Sequence, residues 1–310
     1  MRILFMGTPD FAVPCLEEMN KKGYEVVSVI TQPDRPKGRG KKVLPQPVKV
    51  KAIELGIEVL QPVKIREKEY IEAIKNMNVD CIVVVAYGQI LPKEILEIPE
   101  KGCINVHASL LPKYRGAAPI NWAIVDGEET TGITTMYMSQ GLDTGDMILK
   151  EEVKIGREMT AGQLHDRLSE VGAKVLIETL ELLKLNKAPR TPQHDSESTY
   201  ASMLSSKTGF VDWENSAENI YNLVRGLNPW PIAYTMYKGK KMKIWKSKIS
   251  SDASSEEHGK IIKVDKSGIY VSTGNGVLVI EEIQFPNSRR MTVDEYIRGN
   301  VIENKIVLGE

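Results

Sequence analysis

The sequence predicts an α/β protein in two parts, a mostly parallel sheet over residues 1–186 and a smaller β-barrel over residues 207–310. Three observations carry this reading. Short apolar runs alternate with helical patterns through the first half, as parallel sheets require. A stretch rich in Pro, Ser, Thr and charge, residues 187–206, then breaks the pattern and reads as a linker. Beyond it, short strands are spaced by the Gly-containing turns Tyr237-Lys238-Gly239-Lys240, Lys266-Ser267-Gly268 and Thr273-Gly274-Asn275-Gly276.

The elements follow in order. Arg2–Met6 is a first strand rather than a signal peptide. Thr8 is placed to cap a helix with Pro9 at its first position and Phe11, Leu16 and Met19 facing inward. Glu25–Thr31 is a second strand. Asp80–Val85 is almost wholly apolar, as expected of a parallel strand covered on both faces. Cys103–His107, Gly132–Met138 and Met147–Val153 supply further strands, and a helix is predicted over Thr160–Leu185, with Leu164, Leu168, Val171, Val175 and Leu182 on one side. After the linker, Ala217–Leu227 reads as a helix.

Composition excludes several classes. The 41 basic and 41 acidic residues cancel, so overall charge points to no polyanionic partner and only local patches can. Cys15, Cys81 and Cys103 sit in or beside apolar runs without close spacing, which argues for reduced core thiols and against a disulfide framework or zinc site. No apolar stretch approaches the length of a membrane span. A cytoplasmic protein is expected. The opening Gly7-Thr8-Pro9-Asp10 lacks the G-x-G-x-x-G spacing of a dinucleotide cradle, which disfavours a nicotinamide-dependent oxidoreductase.

The chemistry concentrates in Gly102-Cys103-Ile104-Asn105-Val106-His107-Ala108-Ser109-Leu110-Leu111-Pro112. Strand side chains alternate faces, so Asn105 and His107 point the same way, roughly 6–7 Å apart. They lie at the carboxyl end of their strand, where ligands bind in such sheets. A neutral amide donor beside a group that holds a proton near neutral pH suits stabilising an oxyanion while moving a proton. That is what acyl transfer to an amine demands. A second polar loop, Gly141-Leu142-Asp143-Thr144-Gly145-Asp146, is either a plain turn or a loop that brings a carboxylate to the imidazole.

Asn105-Val106-His107, Ser109-Leu110-Leu111-Pro112, Arg115-Gly116-Ala117-Ala118-Pro119 and the Gly141–Asp146 loop, in this order and spacing, resemble the signature of the folate-dependent formyltransferases. The resemblance implies a Rossmann-like catalytic domain. It implies catalytic roles for Asn105, His107 and Asp143, and 10-formyltetrahydrofolate as co-substrate and formyl donor, with no metal. Ser109, Leu110, Leu111 and Pro112, together with Tyr87 and Gly88 of the run Val84-Val85-Ala86-Tyr87-Gly88, would line the donor pocket. Which of His107 and Asp143 moves the proton stays open, because the two would titrate as a pair.

Acceptor identity rests on other residues. Gln32–Lys42 is a basic loop whose glycines and prolines disfavour a helix, and no acid interrupts Arg35–Lys51. It is either a solvated charge run or a mobile reader of phosphate backbone. In the second half, Lys238, Lys240, Lys241, Lys243, Lys246 and Lys248 flank Trp245. They form either the outer face of a hairpin or an RNA-backbone surface on an OB-like barrel. Both features, with Asn228-Pro229-Trp230-Pro231, resemble the branch of the family whose acceptor is the α-amine of methionine carried by initiator tRNA. That resemblance implies tRNA contacts from Arg35, Lys37, Arg39, Lys41, Lys42, Lys241, Lys243 and Lys246, with Arg39 reading the unpaired end of the acceptor stem, and a monomer. Alternatives are a formyl-folate enzyme with a small-molecule amine acceptor, a related hydrolase, and a non-catalytic RNA-binding protein.

Overall fold

The computed structural model describes residues 1–37 and 42–309 of the 310. Two compact units divide them. The first comprises residues 1–116, 131–154 and 165–201; the second comprises 117–130, 155–164 and the chain from Ser202 onward.

In chain order the first unit's strands are β1 (Arg2–Gly7), β2 (Glu25–Ile30), β3 (Arg35–Lys37), β4 (Lys42–Leu44), β5 (Val59–Leu60), β6 (Cys81–Val85), β7 (Cys103–His107), β8 (Arg115–Gly116), β9 (Thr130–Tyr137), β10 (Met147–Lys154) and β11 (Tyr200–Ala201). Seven of them form one sheet in the order β10-β9-β7-β6-β1-β2-β5. The pairs β1–β2, β1–β6, β6–β7 and β2–β5 are parallel, and β7–β9 is antiparallel. All five residues of β6 are buried, as its unbroken apolar run requires. The helix expected over 160–185 spans Ala161–Lys184, and Leu168, Leu176, Leu180 and Leu183 on it are buried.

Three expectations need correcting here. Thr8 does not cap a helix. Its hydroxyl donates to Tyr87 O at 2.9 Å and accepts from Gln32 N at 3.3 Å, so partners distant in sequence outcompete the local cap. The α-helix begins later, at Val13, with Pro14 in its first turn. The basic loop is not free at its base, because β3 and β4 pair as an antiparallel ribbon. Behind Arg35, Asp34 is held by Lys49 Nζ at 2.6 Å and Gln61 Nε2 at 2.8 Å. The expected linker 187–206 is also largely ordered: residues up to Ala201 belong to the first unit, where Thr191 bridges Met147 and β11 pairs β8.

The second unit carries β12 (Ala233–Tyr237), β13 (Lys240–Ile249), β14 (Ile261–Asp265), β15 (Gly268–Ser272), β16 (Val277–Gln284) and β17 (Met291–Thr292). They form an antiparallel sheet in the order β12-β13-β16-β15-β14, with β17 on β16. The C-terminal stretch runs between the sheet's outer strands. Ile261 N donates to Ile306 O, Leu308 N to Gly259 O, and Gly309 N to Met236 O on β12. The helix Ala217–Gly226, capped by Ser216 accepting from Asn219 N, packs its buried Ile220, Tyr221 and Val224 into this unit's core.

Cys15, Cys81 and Cys103 are free and buried. Burial pushes the Cys15 and Cys103 thiols up to about 12, and the Cys81 thiol further in the same direction. Among the described residues no helix is long and apolar enough to cross a membrane.

Candidate active site

β7 ends the parallel run of the sheet, with Val84 of β6 opposite Asn105 and Thr134 of β9 opposite His107. Alternation places both side chains on one face as expected, Asn105 half-buried and His107 buried. The imidazole is fixed from both sides. Its Nε2 lies 2.9 Å from Tyr114 O. A carbonyl only accepts, so Nε2 carries the hydrogen between them and Nδ1 is the ring nitrogen left to face the loop. That nitrogen faces Asp143 Oδ2 at 3.7 Å. The Gly141–Asp146 loop therefore does bring its carboxylate to the imidazole.

Asp143 makes three contacts through one carboxylate. Oδ2 accepts from Gly116 N at 2.9 Å, and Oδ1 lies 3.5 Å from Asn105 Nδ2. Asp143 has φ +52° and Tyr114 φ +60°, a left-handed backbone that residues with side chains rarely adopt and that gathers at functional sites. Gly116 and Gly145 make the close approach possible. Gly116 has φ +114°, and a Cβ there would stand 2.7 Å from Ala201 O; a Cβ at Gly145 would stand 1.7 Å from Tyr137 O.

The segment expected to line the donor pocket divides into two roles. Ser109 is fully buried, its hydroxyl donating to Lys113 O at 2.6 Å while its carbonyl accepts from Thr134 Oγ1 at 2.7 Å. Leu111 is equally buried, against Met136 and Met147. These two side chains shape the loop from within and present nothing to a ligand. Leu110 and Pro112 are partly exposed. After β6 the chain turns through Ala86 (φ +47°) and Gly88 (φ +86°), both exposed, while Tyr87 is buried with its hydroxyl unpartnered.

Sequence reasoning missed Gln193, Thr199 and the Tyr114 carbonyl. Gln193 Nε2 donates to Asp143 O and Gly145 O, each at 2.8 Å, and Thr199 Oγ1 accepts from Tyr114 N at 2.8 Å. No local signal marks them, since the Pro- and Ser-rich composition around them reads as connection.

Of the basic residues, Arg35 is exposed on β3 and donates to Gln32 Oε1 at 3.2 Å. Arg39 and Lys41 lie outside the described residues, as do the side chains of Lys37 and Lys42. On β13 simple alternation would put Lys241 and Lys243 on one face and Lys246 and Lys248 on the other. A bulge between Ile244 and Ser247 resets the alternation, so Met242, Ile244 and Ser247 are buried and all four lysines avoid the core. Lys241 Nζ sits 3.4 Å from the centre of the Tyr234 ring, and burial lowers its pKa from the usual lysine value. Lys246 and Lys248 share Glu281 at 3.2 and 2.9 Å, which neutralises part of that surface. Trp245 donates to Gln284 Oε1 at 3.1 Å, with the Arg290 guanidinium over its ring.

Residues 1–180 match the Formyl transferase family, and residues 203–301 match the family described as Formyl transferase, C-terminal domain. A methionyl-tRNA formyltransferase of Clostridioides difficile is 59% identical over 100% of both chains, and one of Alkaliphilus oremlandii is 57% identical over the same share. Among solved structures, the sugar 3N-formyl transferase WlaRD aligns over 93% of this chain and 99% of its own, with TM-score 0.69 and 18% identity. HypX from Aquifex aeolicus in complex with tetrahydrofolic acid aligns over 99% of this chain and 50% of its own, with TM-score 0.65 and 17% identity. Those two show a shared fold. With both sequence matches and the end-to-end identity, the chain belongs to the formyl transferase family.

Proposed function

We propose that this chain transfers the formyl group of 10-formyltetrahydrofolate to the α-amino group of methionine esterified to initiator tRNA, giving N-formylmethionyl-tRNA. The observation that carries the reading is the 59% identity, over the full length of both chains, to a methionyl-tRNA formyltransferase. The sugar 3N-formyl transferase WlaRD, by contrast, is a fold likeness at 18% identity.

The residues present suit a formyl-folate. A flat ring system bearing amide and amine edges needs exposed backbone rather than charge, and the turn through Ala86 and Gly88 exposes backbone beside Asn105. Residues 86–88, Leu110 and Pro112 would hold it, with Ser109 and Leu111 setting the loop's shape. When bound, the donor supplies an electrophilic formyl carbon and a nitrogen leaving group.

The geometry supports the following part for the protein's own residues. The Asn105 amide has two N–H donors. One faces Asp143 Oδ1 at 3.5 Å, leaving the other for the oxyanion that develops on transfer. Tyr114 O takes His107 Nε2 and Asp143 faces Nδ1, which favours proton transfer over oxyanion contact for the imidazole. The imidazole and carboxylate instead act as one proton site, accepting what the amine sheds and returning it to the leaving nitrogen. The basic residues Arg35, Lys37, Arg39, Lys41 and Lys42 and the outward lysines Lys241, Lys243 and Lys246 would hold the RNA backbone. Three buried free thiols support a reducing, cytoplasmic setting. A monomer is part of the same reading, tested by light scattering.

The deciding assay mixes the protein with formyl-folate and methionyl initiator tRNA and asks whether base hydrolysis releases N-formylmethionine. Formylation of a nucleotide-sugar amine instead, or hydrolysis of the donor without transfer, would overturn the proposal.

A further inference from the structure

We infer that Gln193 is a positioning residue for the transfer step: its side-chain amide holds the 143–145 loop so that the Asp143 carboxylate faces His107. The inference rests on the role proposed above for Asp143.

Every polar group of the Gln193 side chain is engaged. Nε2 donates to Asp143 O and Gly145 O, both at 2.8 Å, and Oε1 accepts from Arg115 Nε at 3.0 Å. A primary amide has two N–H hydrogens, so the loop takes both. The loop needs such a hold, because Asp143 sits at φ +52°, where a residue with a side chain stays only when its surroundings over-determine it. The base of the loop is closed by Tyr137 N donating to Asp146 O at 2.9 Å, the Ser139 and Thr144 hydroxyls pair at 2.9 Å, and Gly116 N holds the Asp143 carboxylate; Gln193 ties the backbone carbonyls at the tip.

Gln193 is itself fixed through Arg115. Arg115 Nη1 donates to Asp195 Oδ1 at 2.8 Å, and Arg115 N donates to Thr199 O at 2.9 Å. Thr199 Oγ1 accepts from Tyr114 N, and Tyr114 O is the acceptor that fixes His107 Nε2. Residues 193–199 thus anchor both sides of the His107–Asp143 pair, the carboxylate through Gln193 and the imidazole through Thr199. This gives the ordered stretch after residue 187 a function in the reaction, acting through other residues and touching no substrate.

The test is a double-mutant cycle in the full-length protein. Gln193→Glu keeps the size and the acceptor for Arg115, removes both donors and sets an anion against two carbonyls. Formylation kcat falls on the order of 10²-fold, the cost of a small misplacement at a reacting centre, while KM for donor and tRNA stays unchanged. In an Asp143→Asn background the same substitution adds no further loss, because both changes act through one group. Gln193→Met, which removes the donors without adding charge, serves where Glu prevents folding and is expected to behave likewise. A kcat near that of the unaltered enzyme in the Gln193 variants, with Asp143→Asn slow, overturns the inference alone. Losses that multiply independently of Asp143 and follow a lowered Tm also overturn it, in favour of a purely structural role. An unaltered rate in Asp143→Asn itself overturns the reading on which the inference stands.

Discussion

Replacing Asp143 by Asn removes one charge from the site while nearly preserving its shape, and the geometry sets the size of the effect. His107 Nδ1 and Asp143 Oδ2 are 3.7 Å apart, with side chains 6% and 15% exposed, so solvent screens them little. Two unit charges at that separation attract by about 4 kcal/mol at an effective dielectric near 20. In the proposed mechanism the attraction arises as the imidazole takes up the proton shed by the amine. It therefore stabilises the transition state more than the ground state and is lost from kcat rather than from binding. At about 1.4 kcal/mol per decade, kcat in Asp143→Asn falls roughly 10³-fold. The Asn carbonyl can still accept from Gly116 N, which Asp143 does at 2.9 Å, so the loop keeps its anchor. The assay is single-turnover formylation of methionyl-tRNA with both substrates saturating, alongside a thermal melt. A rate within about tenfold of the unaltered enzyme, with Tm retained, would refute the ion-pair argument.

Three further outcomes are expected. Asn105→Ala loses an oxyanion donor and about 3–4 kcal/mol of transition-state stabilisation, read as a fall of about 10²–10³ in kcat at unchanged donor KM; a normal kcat removes Asn105 from the reaction. Arg39→Ala raises KM for tRNA and flattens the fall of tRNA affinity with salt, while folate binding stays intact; an equal loss of folate binding contradicts its assignment to RNA. The buried thiols set an alkaline limit. Cys15 and Cys103 are pushed up to about 12 in the fold, whereas unfolded thiols ionise near about 8.5. Their contribution is complete below that lower value and is lost as pH rises from it toward 12. Tm measured upward from neutral pH should decline once the lower value is passed, and less so in a variant with all three cysteines changed to Ala. Identical declines in the two proteins would show that the thiols contribute nothing.

The parts of the site written in local periodicity were legible in the sequence, and the parts written in long-range hydrogen bonds were not. The limits of β7, Cys103–His107, and the shared face of Asn105 and His107 follow from strand alternation alone. The 141–146 loop announced its polar residues but not its destination, since nothing local says that Asp143 reaches β7. Thr8 and Pro9 spelled a helix cap, yet the hydroxyl found Tyr87 O, far along the chain. Ser109 and Leu111 were legible as part of a motif, but a motif does not say which way a side chain points; both turned inward. In β13 the lysine pattern suggested one face only by ignoring strict alternation, and the bulge at Ile244–Ser247 supplies the missing step. Composition misled most at Gln193 and Thr199, because polar, Pro-rich chain reads as connection whether or not distant partners order it.

The ordering of residues 187–201 within the first unit also bears on where this chain can be cut and rejoined. A seam between catalytic and C-terminal halves, judged from composition, would fall near residue 186 and leave Gln193 and Thr199 with the wrong half. Such a chimaera would pair the Asp143 loop and the Tyr114 carbonyl with foreign residues, even though the strand bearing Asn105 and His107 stayed whole. The chain ordered with the first unit therefore runs to Ala201, where β11 pairs with β8.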